Sequence, residues 1–102
     1  MTSAVKPRFQ LDTATPGTLG VSGVLSFDTA AAALQAIQSV LAAGSVTRLD
    51  LADVSHSDSA GLACVLAVAA EADRRGQALQ VVQMPAGMQL LAQVCEVERL
   101  IA

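Results

Sequence analysis

The stretch that decides how this chain folds is Val46-Thr47-Arg48-Leu49-Asp50-Leu51, followed by Ala52-Asp53-Val54-Ser55-His56-Ser57 and then by Asp58-Ser59-Ala60-Gly61-Leu62-Ala63-Cys64-Val65-Leu66-Ala67-Val68-Ala69-Ala70. Residues 46–51 read as a strand. Residues 52–57 predict a loop. Leu62 to Ala70 is apolar without interruption, and with its flanks predicts a helix from Ser59 to Arg75, stopped by Gly76. Arg74 and Arg75 suit the negative end of that helix. Asp58 is a good N-cap residue, and Ser57 could serve as well. The tetrapeptide Asp58-Ser59-Ala60-Gly61 therefore opens a helix at the carboxyl edge of a sheet, where open α/β sheets place their working residues. The first N–H groups of a helix have no partner within it, and the dipole there is positive. A hydroxyl at Ser59 is predicted to be exposed, and a phosphate on it would be favoured electrostatically.

Working outward, Phe9 to Asp12 alternates like a short strand, Thr15-Pro16-Gly17 is a turn signal, and Thr18 to Leu25 alternates again with Leu19 and Val21 on one side. These two strands predict a hairpin. Ser26 or Asp28 is the expected cap of a helix whose apolar face is Ala30, Ala33, Leu34, Ile37, Val40 and Leu41, ended by Gly44. Ala78 to Gln83 predicts a fourth strand with Leu79 and Val81 inward. Pro85 predicts the first turn of a third helix, with Met88, Leu91, Val94 and Cys95 as its buried stripe. Glu96 to Ala102 is a short tail, apolar at Leu100-Ile101.

The predicted order is β-β-α-β-α-β-α, an α/β fold with about four strands in a mixed sheet. Right-handed crossovers make the later strands parallel. Three helices are too few to cover both faces, so they are expected on one, leaving the other partly exposed. Residues 1–7 are expected to be a flexible start and 8–102 a single domain.

Composition removes several function classes. The chain has 102 residues, a net charge of −3 and only two aromatic residues, Phe9 and Phe27. It has neither a basic stripe nor stacking platforms, so no nucleic-acid partner is expected. No apolar run approaches the roughly 18–20 residues that span a bilayer, because Gln35, Gln38 and Ser39 interrupt the alanine-rich stretch at 30–43. No direct membrane insertion is expected. The first twenty residues hold Lys6 and Arg8 but no apolar core segment, so no secretory signal is expected. Cys64 and Cys95 fall inside predicted helices and are expected to be reduced and buried. One histidine and no CxxC motif make a metal site an unexpected feature. There is no Walker pattern or glycine-rich phosphate loop, and no cofactor is expected.

Capping accounts for Asp58, and close approach of helix to sheet could account for Gly61. Neither explains why Ser59, Ala60 and Gly61 are all small, which clears space around the helix start as a docking surface requires. The helix that follows has no polar face, and a helix apolar all round is normally covered all round. Its outer positions Ala63, Ala67 and Ala70 have little of this short chain to cover them. Alanines tolerate solvent cheaply, so the alternatives are a bare alanine face and a partner lying across it. Ser59, His56 and Asp58 have the residue types of a hydrolase triad, but three members within four residues rarely converge, and there is no Gly-x-Ser-x-Gly elbow. His56 reads as an exposed loop residue, Met84 and Met88 as core fillers, and Asp50 and Asp53 as solubilising or facing a basic partner.

The run from Leu49 to Ala63 resembles the signature of STAS domains, the fold of anti-sigma-factor antagonists and of the cytoplasmic parts of sulfate transporters: a strand, a Val-Ser loop, Asp-Ser, a small residue, Gly and Leu. The resemblance covers about residues 8–95, and Gly61-Leu62-Ala63 is most similar to the MlaB type, the small STAS subunit of ABC systems that move phospholipids between bacterial membranes. Departures are His56 and the polar Ser57. The resemblance implies a non-catalytic subunit, cytoplasmic and peripheral to the inner membrane through its complex. It implies an ABC ATPase subunit as partner, with a permease in the same complex, and puts Ser59 at the contact; the small residues around it and the outer helix face extend the expected contact to Ser57, Asp58, Ala60, Gly61, Ala63 and Ala67. The alternative it implies is an anti-sigma-factor antagonist switched by a partner kinase that phosphorylates Ser59.

Overall fold

Leu19, Val21, Leu49 and Leu51 occupy alternate positions on two neighbouring strands and are all buried, and this one apolar sheet face organises the molecule. The computed structural model describes residues 8–101. The expectation of a flexible start at residues 1–7 lies outside them. Strands β1 (Phe9–Asp12) and β2 (Thr18–Leu25) lead into helix α1 (Ala30–Leu41); β3 (Arg48–Ser57) leads into α2 (Ser59–Arg74); β4 (Gln80–Val82) leads into α3 (Ala86–Val94) and a 3-10 turn at Glu98–Leu100. The strand order is β1-β2-β3-β4. β1 and β2 form the antiparallel hairpin, while β2–β3 and β3–β4 are parallel, as connections through α1 and α2 require. This is the mixed four-stranded sheet with three helices that the alternation predicts.

Ala33, Ile37 and Leu41 of α1 and Leu62, Val65 and Val68 of α2 meet the inner sheet face in one core. On the other face Gln10, Asp12, Thr18, Gly20, Ser22, Asp50 and Asp53 border a shallow hollow. No helix among the described residues is long and apolar enough to cross a membrane.

Residues 52–57, expected as a loop, continue β3. The eight residues of β2 run beside ten of β3, with register shifts between Gly20 and Ser22 and between Gly23 and Val24. Extra residues in a ladder break the two-residue alternation and leave Asp53, Ser55 and His56 exposed, which is why the segment reads as loop. The irregular backbone is held locally: Ala52 N–H donates to Asp50 Oδ1 at 2.9 Å, and Ser55 Oγ donates to the Gly23 carbonyl at 3.2 Å. At the front of this strand, Val46 and Thr47 lie before its first residue.

The start of α1 also differs from expectation. Its N-cap is Thr29, and neither Ser26 nor Asp28 caps it with a side chain. The turn closes through backbone instead, with Thr29 and Ala30 N–H donating to the Ser26 carbonyl at 3.0 and 2.8 Å. Thr29 Oγ1 donates to the Val24 carbonyl at 2.8 Å and accepts from Ser26 N–H at 2.9 Å. Asp28 is exposed and pairs with Arg8 at 3.1 Å.

In α3 only Met88 and Ala92 are fully buried; Leu91 is half-buried, Val94 is 71% exposed, and Cys95 is exposed as the C-cap. The chain reverses just past the helix at Glu96, whose φ is 58°, and Val97 N–H turns back to the Ala92 carbonyl at 3.0 Å. That reversal puts Val97 and Ile101 against the core in place of Val94 and Cys95. The strand expected over 78–83 shortens to β4, with Leu79 and Val81 packed against the core as predicted.

Candidate functional site

Asp58 sits between β3 and α2 in an extended conformation, the geometry an N-cap needs. Its Oδ1 accepts from the N–H groups of Ala60 and Gly61 at 2.9 and 3.1 Å. Its Oδ2 accepts from Phe27 N–H, in the β2–α1 turn, at 3.1 Å. Its own N–H donates to the Leu25 carbonyl at 3.3 Å. One residue, through its backbone and its side chain, thus fastens the end of β2, the turn after it and the first turn of α2. The Phe27 N–H, then that of Gly61, holds the Asp58 carboxyl below its ordinary value; partial burial opposes this, and the Ala60 N–H and the nearby His56 add to it.

Gly61 completes the junction. It is buried, and a β-carbon there would overlap the Leu25 carbonyl oxygen and lie 3.1 Å from the Leu25 β-carbon. The helix begins directly on the end of β2, and only glycine permits it.

On this rigid platform Ser59 is exposed, Ala60 half-buried and Ala63 exposed, while Ser57, the last residue of β3, is half-buried beside Leu25. Ser59, Ala63, Ala67 and Ala70 follow one another at spacings of three and four, so they form one stripe down α2. Ala67 and Ala70 reach a groove of about 970 Å³, walled by Leu66, Leu79, Val81 and Leu100. The sequence-predicted residues therefore share a surface: Ser59, Ala60 and Ala63 at its open end, Ala67 at the groove, and Asp58 and Gly61 beneath as its supports.

The Asp58 oxygens accept from three backbone N–H groups rather than from the imidazole of His56, which stands exposed on β3. The orienting step of a Ser-His-Asp relay is not assembled here. Two of the first N–H groups of α2 are likewise taken by the cap, so a phosphate on Ser59 would stand next to an ionised carboxylate.

Phe27, in the turn between β2 and α1, is 82% exposed beside this platform. The signal was available: an aromatic in the polar turn Ser26-Phe27-Asp28-Thr29 has no reason of local structure to be there.

The family model described as "Mlab, STAS domain" matches residues 10–102. No curated protein sequence matches the chain. Among solved structures, the anti-sigma factor antagonist SpoIIAA in its unphosphorylated form is 19% identical, with 92% of this chain and 85% of that one covered and a TM-score of 0.68. The Bacillus cell fate determinant SpoIIAA in the phosphorylated form is 20% identical, with 92% and 88% covered and a TM-score of 0.65. At these identities the likeness is one of fold.

Proposed function

Because the chain belongs to the MlaB-type STAS domain family, we propose that it is a non-catalytic subunit that binds and supports the ATPase of an ABC-type phospholipid transporter. The contact is the N-terminus of α2: Ser59, Ala60 and Ala63 touch the ATPase, Ala67 extends the contact toward the groove, and Ser57, Asp58 and Gly61 hold the surface in shape. The single observation that carries this reading is the small-residue stripe that starts at the exposed Ser59 and Ala63, on a helix end fixed at both Asp58 and Gly61. Flat, small-residue surfaces on rigid supports permit close backbone approach with little ordering cost. The complex places the chain on the cytoplasmic side of the inner membrane.

The test is co-purification with the ATPase subunit of the same host after co-expression. The wild-type chain is expected to hold the ATPase, and Ser59→Arg to lose it while keeping its circular dichroism spectrum. An intact complex with Ser59→Arg would refute the contact.

The second reading is a phospho-switched antagonist with Ser59 as acceptor. The exposed hydroxyl supports it, as does the likeness in fold to SpoIIAA, a protein with structures in both phosphorylation states. Mass spectrometry of protein from native cells distinguishes the two: phosphate on Ser59 favours the switch.

A further inference from the structure

We infer that Phe27 is the aromatic anchor of the docking surface, inserting its ring into an apolar pocket on the ATPase subunit; this rests on the reading above. Phe27 is the most exposed of the large hydrophobic side chains among the described residues, at 82%. A ring of this kind removes on the order of 150–250 Å² from water when it is covered. None of the described residues covers it.

The turn that carries it is nevertheless held by hydrogen bonds on both sides. Phe27 N–H is held by Asp58, and the residues on either side of the Phe27-Asp28 pair, Ser26 and Thr29, are buried and hydrogen-bonded to each other at 2.9 Å. Thr29 is in turn bonded to the Val24 carbonyl at 2.8 Å. A fixed backbone presenting one free ring loses little entropy on docking, the property that makes aromatic residues effective anchors.

Two features define the occupant. The Asp58 carboxylate that holds Phe27 also caps the helix bearing Ser59, so ring and hydroxyl belong to one rigid surface and one partner covers both. The two carboxylates tied to this turn also have partners already: Asp28 pairs with Arg8 at 3.1 Å, and Asp58 accepts from three N–H groups. An apolar pocket without a free charge is the complementary surface.

The experiment measures binding of the purified chain to its host's ATPase subunit for wild type, Phe27→Ala, Phe27→Leu and Ser59→Arg, with a thermal melt of each free chain. Phe27→Ala is expected to weaken binding by about thirtyfold or more, the threshold of an interface hot spot, with an unchanged melt. Phe27→Leu is expected to recover part of the loss. Wild-type affinity for Phe27→Ala beside lost binding for Ser59→Arg would overturn the anchor and leave the docking reading standing. Wild-type affinity for both would overturn the docking reading and the anchor with it. A marked drop in melting temperature for Phe27→Ala would also overturn the anchor, because the ring would then belong to the fold.

Discussion

Gly61 of α2 and Leu25 of β2 lie so close that a β-carbon on the glycine would overlap the leucine carbonyl oxygen and fall 2.9 Å from its carbonyl carbon. The obstacle is backbone, which cannot rotate away as a side chain could. That carbonyl also accepts the Asp58 N–H at 3.3 Å, so the same atom aligns the helix and limits its approach.

Gly61→Ala is therefore expected to push α2 off the strand end. Overpacking of this kind costs about 1–3 kcal/mol, and urea unfolding followed by circular dichroism should show the midpoint falling accordingly. A midpoint equal to wild type would mean that the junction yields without cost.

Asp58 gives a prediction in pH. Its carboxyl titrates below the ordinary value of 3.8 because the N–H groups of Phe27, Gly61 and Ala60 favour its charged form. A depressed folded value stabilises the fold above the unfolded value and loses that stabilisation as pH falls through the folded one. The stability advantage of wild type over Asp58→Asn should be constant at neutral pH and shrink below about pH 3.8. Asp58→Ala, which removes both acceptor oxygens, should be less stable than Asp58→Asn. An advantage that does not change with pH would contradict the charged cap.

The two thiols should separate cleanly. Burial pushes the Cys64 thiol up to about 11, whereas Cys95 is exposed at the end of α3. Reactivity follows the thiolate and its access. One thiol per chain, Cys95, should react with a thiol reagent in native protein, and both should react in denaturant. Two rapid equivalents without denaturant would contradict the packing around Cys64.

Along the α2 stripe, Ala63→Glu should leave stability within about 0.5 kcal/mol, as exposed substitutions do, yet weaken the ATPase complex. Ala31→Glu, equally exposed but on α1, should leave both unchanged. Equal complex strength in the two variants would remove α2 from the interface.

The parts of the fold that were legible in the sequence were those set by periodicity and by one decisive side chain. Leu19 and Val21 announced the inner face of β2, and Asp58 announced the start of α2, because each follows a local rule. The continuation of β3 through residues 52–57 was not legible, since its irregular pairing with β2 erases alternation. The cap of α1 is not legible because Ser26 serves through its carbonyl, which every residue has. The buried stripe of α3 is not legible because the chain reversal at Glu96 decides what covers the core there. The exposed Phe27 is legible as an aromatic in a polar turn, but the bond that ties it to Asp58, 31 positions away, is not.

The central claim, that this chain is the STAS subunit of an ABC phospholipid transporter, is tested most directly by purifying the tagged chain from its native host and identifying what co-elutes. The account predicts an ABC ATPase together with its permease, both lost with Ser59→Arg. Recovery of a serine kinase in their place would contradict it and make Ser59 a phosphorylation site.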